Sequence, residues 1–123
     1  MKRIIFAAML IVTLTVACTC AAKDVWVERY DTTEYYVMDD TITSNTANDS
    51  KSFSVSVKIV KNGQLQKVVT HNYFKYKDDF WREHVKDHST ALHPVDKVFE
   101  FCMNRLGWSY RTGGSDPLVK CYY

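Results

Sequence analysis

Glycine and proline are scarce, with four glycines and two prolines in 123 residues. Phosphate-cradling loops need clustered glycines so that the backbone can approach the ligand, and this chain has no such cluster. Gly113-Gly114 reads as a turn. There is no Gly-x-Ser-x-Gly elbow and no His-Glu-x-x-His pattern. His84 and His88 are four apart, but Val85 stands where that pattern needs glutamate, and no third ligand accompanies them. No metal site is read there. The carboxylate pairs Asp39-Asp40 and Asp78-Asp79 fall at expected turns, where aspartate bonds nearby backbone. His71 falls mid-strand, where a structural histidine is expected. No nucleophile–base set can be named, so the expectation is a protein without catalytic activity or cofactor. Internal repeats and a second domain are also absent from the pattern.

An excess of charge is lacking as well. Sixteen basic residues stand against fourteen acidic ones. Two of the basic residues, Lys2 and Arg3, open the chain and precede an uncharged run from Ile4 to Ala22. A basic start, an apolar middle and a small-residue end read as a signal peptide over residues 1–22. The apolar part is short for a membrane span. Two processing readings stay open. Cys20-Ala21-Ala22 resembles a signal peptidase I site that releases the chain from Lys23. Thr15-Val16-Ala17-Cys18 loosely resembles a lipobox, which would anchor the protein in a membrane through a lipid on Cys18. Either places the protein outside the cytoplasm: periplasmic, on the cell surface or secreted. Residues 23–123 then form a single domain of near-neutral charge. That balance argues against a nucleic-acid partner, which favours a basic stripe. Cys102 and Cys121 remain, and in an oxidising compartment they read most simply as a disulfide. The alternative is a pair of buried free thiols.

The clearest element is a helix ahead of the C-terminus. Val95, Val98, Phe99, Cys102, Met103 and Leu106 recur at helical spacing and lie on one stripe. Pro94 suits the first helical position, Asp96 the first turn, Arg105 the last, and Gly107 the left-handed stop. The rest reads as strands. Val25–Tyr30 and Glu34–Met38 flank a turn at Asp31. Ser44–Ser52 is small and polar and reads as a loop. Phe53, Val55, Val57 and Ile59 alternate with Ser54, Ser56 and Lys58, as in a half-buried antiparallel strand. Asn62-Gly63 follows, the strongest short hairpin signal. The return strand, Gln64–Tyr76, carries apolar residues on both faces. Its buried side stays open, with a bulge as one resolution. Phe80–Val85 reads as a further strand or the start of an irregular connection, Asp87–Leu92 as that connection, Trp108–Arg111 as a short strand, Thr112–Pro117 as a turn and Leu118–Tyr123 as a final strand or docked tail. The expected fold is α+β: an antiparallel meander of four to six strands with one C-terminal helix packed on the sheet.

Trp26-Val27, then Tyr35-Tyr36-Val37 running into Asp40-Thr41-Ile42, then Val55-Ser56-Val57-Lys58 resemble the surface-adhesin protein E family of small exported bacterial domains. The resemblance spans about Val25 to Trp81. It implies an antiparallel sheet with a C-terminal helix near it, and a domain that binds host matrix proteins. No binding segment of that family maps onto this chain. Among the aromatics, Tyr35 and Tyr36 cannot both point inward from one strand. Tyr35, Tyr36 and Trp81 are therefore the candidate binding aromatics. The expected function is an exported surface-interaction domain with a protein partner and undefined oligomeric state. A small periplasmic inhibitor of a hydrolase is the alternative, with Ser44–Ser52 or Thr112–Pro117 as its inserting loop.

Overall fold

The alternation of Phe53, Val55 and Val57 with serine and lysine sets the central strand, and the sheet grows outward from it. The computed structural model describes residues 24–92, 95–116 and 119–123; the expected leader, Cys18, Lys23 and Pro94 lie outside them. β1 (Asp24–Tyr30), β2 (Thr33–Met38), β3 (Thr43–Thr46), β4 (Ser50–Lys61), β5 (Gln64–Tyr76), β6 (Arg82–Val85) and β7 (His88–Ala91) form a seven-stranded antiparallel sheet. α1 (Lys97–Leu106) follows. β8 (Thr112–Asp116) and β9 (Val119–Tyr122) then pair as a small second sheet. The α+β architecture holds in outline. Its detail is corrected: the main sheet has seven strands rather than four to six, and two strands follow the helix.

The additional strands come from segments that read as loops. Ser44–Ser52 contains most of β3 and the start of β4, joined where the Ala47 N–H donates to Ser50 O at 2.9 Å. Every residue of β3 is exposed, so it carries no apolar alternation to read. Asp87–Leu92 contains β7, which pairs with β6 across a turn in which Lys86 takes a φ of 53°. His84 and His88 thus lie on two strands of a hairpin, not on one helical face. Thr112–Pro117 contributes β8 in place of a turn, because Thr112 and Gly113 find partners in Tyr122 and Cys121. Trp108–Arg111, expected as a short strand, does not form one. Neither segment proposed as an inhibitory loop is a free loop over its described residues.

β2 and β3 lie in succession along one flank of β4, with Val37 opposite Val57 and Thr43 opposite Ser54. Residues 38–42 must span what residues 55 and 56 span on β4. The surplus loops out as a 3-10 turn at Asp39–Thr41. The Thr41 hydroxyl accepts from the Ser56 N–H at 2.9 Å and donates to Met38 O at 2.6 Å, so a side chain fills the vacant ladder position. Asn62 and Gly63 join β4 to β5 with φ of 52° and 76°, the double left-handed pair of a primed turn. A bulge at Gln66 resolves the two-faced return strand. Ile59 faces Lys67 but Val60 faces Leu65, so Gln66 is the unpaired residue. Val69, His71 and Tyr73 then share a face with Val57, Val55 and Phe53, whereas Leu65 turns to the opposite side with Val60.

The core lies on one face of the sheet. Val37, Phe53, Val55, Val57 and Tyr73 meet Val98, Phe99, Cys102 and Met103 of α1, with Trp81 and Tyr122 between them. Phe99 is the centre, its ring 4.4 Å from Tyr122, 5.4 Å from Trp81, 5.7 Å from Tyr73 and 5.8 Å from Phe53. The helical stripe is shorter by one residue than its spacing predicts. Val95 is exposed at a φ of 79°. The Asp96 carboxylate accepts the Phe99 N–H at 3.0 Å, and this cap requires extended backbone at Asp96, so the helix begins at Lys97. Gly107 ends it in the left-handed conformation. Arg105, in the last turn, donates from Nε and Nη2 to Asp39 at 2.7 and 2.8 Å, tying the helix end to the 3-10 turn. Cys102 and Cys121 are buried free thiols, so the expected bridge is not formed in this structure. Apolar surroundings push the Cys102 thiol up to about 12, chiefly by removing water, which keeps it protonated and unreactive.

Candidate functional site

The two tyrosines of β2 divide as strand alternation requires. Tyr35, opposite Ile59, packs against the core on the helix side. Tyr36, opposite Lys58 and Trp26, stands on the reverse face. Trp81 does not join them. It is 2 % exposed, its ring stacked on Trp108 at 6.2 Å and inclined to Phe53 and Phe99 at 5.5 and 5.4 Å. Its backbone donates to Tyr122 O and accepts from the Leu92 N–H. It is a core residue, and its candidacy as a binding aromatic is withdrawn.

The reverse face is uncovered by any element among the described residues. Its middle is a patch of hydroxyls: Ser52, Ser54 and Ser56 on β4, flanked by Thr43 on β3 and Thr70 on β5. They are linked across strands, Thr43 Oγ1 to Ser54 Oγ at 2.7 Å and Ser56 Oγ to Thr70 Oγ1 at 3.1 Å. Tyr36 donates to Glu34 Oε2 at 3.1 Å, which holds its phenol protonated to higher pH than usual. Lys58 pairs with Asp24 at 2.6 Å on the same side. Phe74 and Tyr76 close the other end, their rings 5.9 Å apart and nearly perpendicular. Tyr76, Leu65, Val68 and Trp26 are each about half exposed or more.

A second feature opens on the helix side, where α1 begins. Glu28, Tyr35, His71, Tyr73, Glu83 and Asp96 line a cleft of about 430 Å³, floored by Leu92 and Val98. His71 and Tyr73 project to one side because they are two apart on β5. Their rings are parallel within 11° at 6.0 Å. Glu83 comes from β6, and its Oε1 lies 2.6 Å from His71 Nδ1. Glu28 is brought in by the bulge of β1, which sets it opposite Tyr35. Asp96 is the helix cap. Its carboxyl is held above the usual range, first by lost hydration and then by Glu83 and Glu28. The Phe99 N–H and His71 oppose that shift. The Tyr73 hydroxyl is buried without a hydrogen-bond partner among the described residues. Burial, then the charges of Asp96 and Glu83, push its pKa far up.

Of the named aromatics, the structure sends Tyr35 to this cleft, Tyr36 to the open face and Trp81 to the core. Sequence reading missed Glu28, Glu83, Asp96 and Tyr73 as a group. They come from four elements and share no spacing; the two-residue step from His71 to Tyr73 was the one legible sign. Among the described residues no cluster of histidine, cysteine and acidic side chains is arranged to hold a metal ion. Comparison of the chain with protein-family models, with curated proteins and with solved structures finds no match.

Proposed function

We propose that this chain is an exported, non-catalytic binding domain that meets a protein partner through the open face of its sheet. One observation carries the reading: the helix covers one face, and the reverse face presents Tyr36, Phe74 and Tyr76 around a patch of hydroxyls with nothing packed on it among the described residues. Aromatics that frame short polar side chains give contact area at low entropic cost together with adaptable hydrogen bonding. The family resemblance supports the same reading. Its three pieces fall on β1, β2 and β4, and β2 stands between the other two in the sheet. Release from Lys23, or a lipid on Cys18, would present the domain to partners outside the cytoplasm. Two of the ionisable groups are held in pairs, Asp39 with Arg105 and His71 with Glu83.

The test is binding of the purified protein to immobilised host matrix proteins and to bacterial envelope proteins, with paired variants. Tyr36→Ala and Phe74→Ser should each weaken capture about tenfold or more, as loss of an interfacial aromatic does. Their circular dichroism and melting should stay close to the parent's. Capture that persists unchanged in the double variant would overturn the assignment of this face.

A further inference from the structure

The cleft at the start of α1 lies on the face opposite Tyr36 and is independent of the reading above. Its charges do not balance. Glu28, Glu83 and Asp96 contribute three carboxylates, and His71 is the one basic side chain among the described residues that line it. His71 is already engaged by Glu83 at 2.6 Å. Glu28 has no cationic partner among the described residues. Asp96 uses Oδ1 to cap the helix, and its other oxygen takes no described donor. Asp96 loses hydration in this recess, and a cation entering it would offset that loss.

A second observation points to a ligand. Tyr73 is 1 % exposed, it borders the cleft, and its hydroxyl has no partner among the described residues. Buried polar atoms are paired in nearly all proteins, so an orphan bordering the recess leaves an acceptor that an entering donor can fill. The phenol oxygen would accept from an N–H donor, as the carboxylates do. The remaining walls fix the shape of that group. Tyr35 and Tyr73 supply aromatic surface, which attracts cations. Leu92 and Val98 supply apolar surface, suited to an aliphatic stem that carries a charged head.

We infer that this cleft takes the lysine or arginine side chain of a protein partner: the ammonium or guanidinium group lies between Glu28, Glu83 and Asp96, and the stem lies on Leu92 and Val98. The interaction is reversible pairing with no covalent step.

The experiment is an amide chemical-shift titration of the isotope-labelled protein, as isolated from the exporting cell, with two peptides. One is acetyl-Gly-Lys-Gly-amide; the other is identical but acetylated on Nζ, which removes the charge and keeps the stem. The free-amine peptide should produce saturable shifts centred on Glu28, His71, Glu83 and Asp96, and the acetylated peptide should not. Glu28→Gln should weaken binding about tenfold, a loss in the range of a partly desolvated charge pair. Glu28 lies in the edge strand and pairs with no described side chain, so this variant keeps its fold even where Glu83→Gln, which strips His71 of its partner, does not. Tyr36→Ala should leave the titration unchanged, which separates this site from the open face. Equal shifts with both peptides, no saturable shift at these amides, or wild-type affinity in Glu28→Gln would each overturn the inference.

Discussion

Asp96 carries two duties with opposite energetic signs. Its carboxylate caps α1, which favours folding, and its burial beside Glu83 and Glu28 raises its pKa, which opposes folding wherever the group is charged. The sign follows from linkage. A carboxyl whose folded pKa lies above its unfolded value imposes a penalty above that folded pKa, and the penalty lifts as pH falls through it. Asp96→Asn keeps an oxygen to accept the Phe99 N–H and removes the charge. At neutral pH it should melt at or above the parent temperature, with the advantage shrinking in acid as the parent's own carboxyl protonates. Asp96→Ala loses the cap and should be less stable by about 1 kcal/mol. Thermal melts of the three proteins across the acid range measure this, and an asparagine variant as damaged as the alanine one would refute it. Tyr122 belongs to the same corner. Its hydroxyl accepts from the Asp96 N–H at 3.0 Å and donates to Glu100 at 2.9 Å, so the last strand, too, holds the helix start.

The β4–β5 hairpin is the longest paired element, and its turn sets the register of the sheet. Both turn residues sit at positive φ, and open space surrounds the position that a Cβ on Gly63 would occupy. Substitution there meets no clash, so its effect isolates backbone conformation. Gly63→Val should destabilise by about 1–2 kcal/mol, the range for holding an L-residue in the left-handed region. Denaturant unfolding gives the number, and a variant as stable as the parent would place the strain elsewhere. The Gln66 bulge matters for a different reason. It turns Leu65 to the open face while Lys67 and Val69 stay on the helix side. One extra residue thereby decides which side chains a partner meets.

At the scale of the molecule, the described residues cover the main sheet on a single face, and its two sides present different chemistry. Aromatics and hydroxyls lie on the open side, and acidic groups gather at the edge of the covered side. The cysteines and the amino terminus bear on how this object is delivered. Intact-mass measurement of the protein from the cell envelope, without reductant, addresses both. The expected mass is that of a chain from Lys23 with two thiols. A lipid-modified chain from Cys18 would select the anchored form, and a mass lower by one pair of hydrogens would show that export closes a bond between Cys102 and Cys121. Full-length protein in the cytoplasm would refute export.

Where a local pattern settles local structure, the amino-acid order was enough. Alternation marked β4, Asn62-Gly63 marked its turn, and helical spacing with Gly107 marked α1, since each depends on neighbours a few residues away. Strands without an apolar rhythm were not legible. β3 is wholly exposed, β7 nearly so, and β8 carries two glycines; each is a strand because a partner supplies its hydrogen bonds. The fate of Trp81 was likewise decided by packing: its ring is buried beside Phe53, Phe99 and Trp108, which lie on other elements and loops of the chain. The cleft is tertiary in the same sense. Glu28, His71, Glu83 and Asp96 are separated along the chain by strands and turns, and they meet because a β-bulge, a strand pairing and a helix cap deliver them to one end of α1. Charge that no local rule places together is brought together by the fold, and that is why the candidate site could be read only from the tertiary structure.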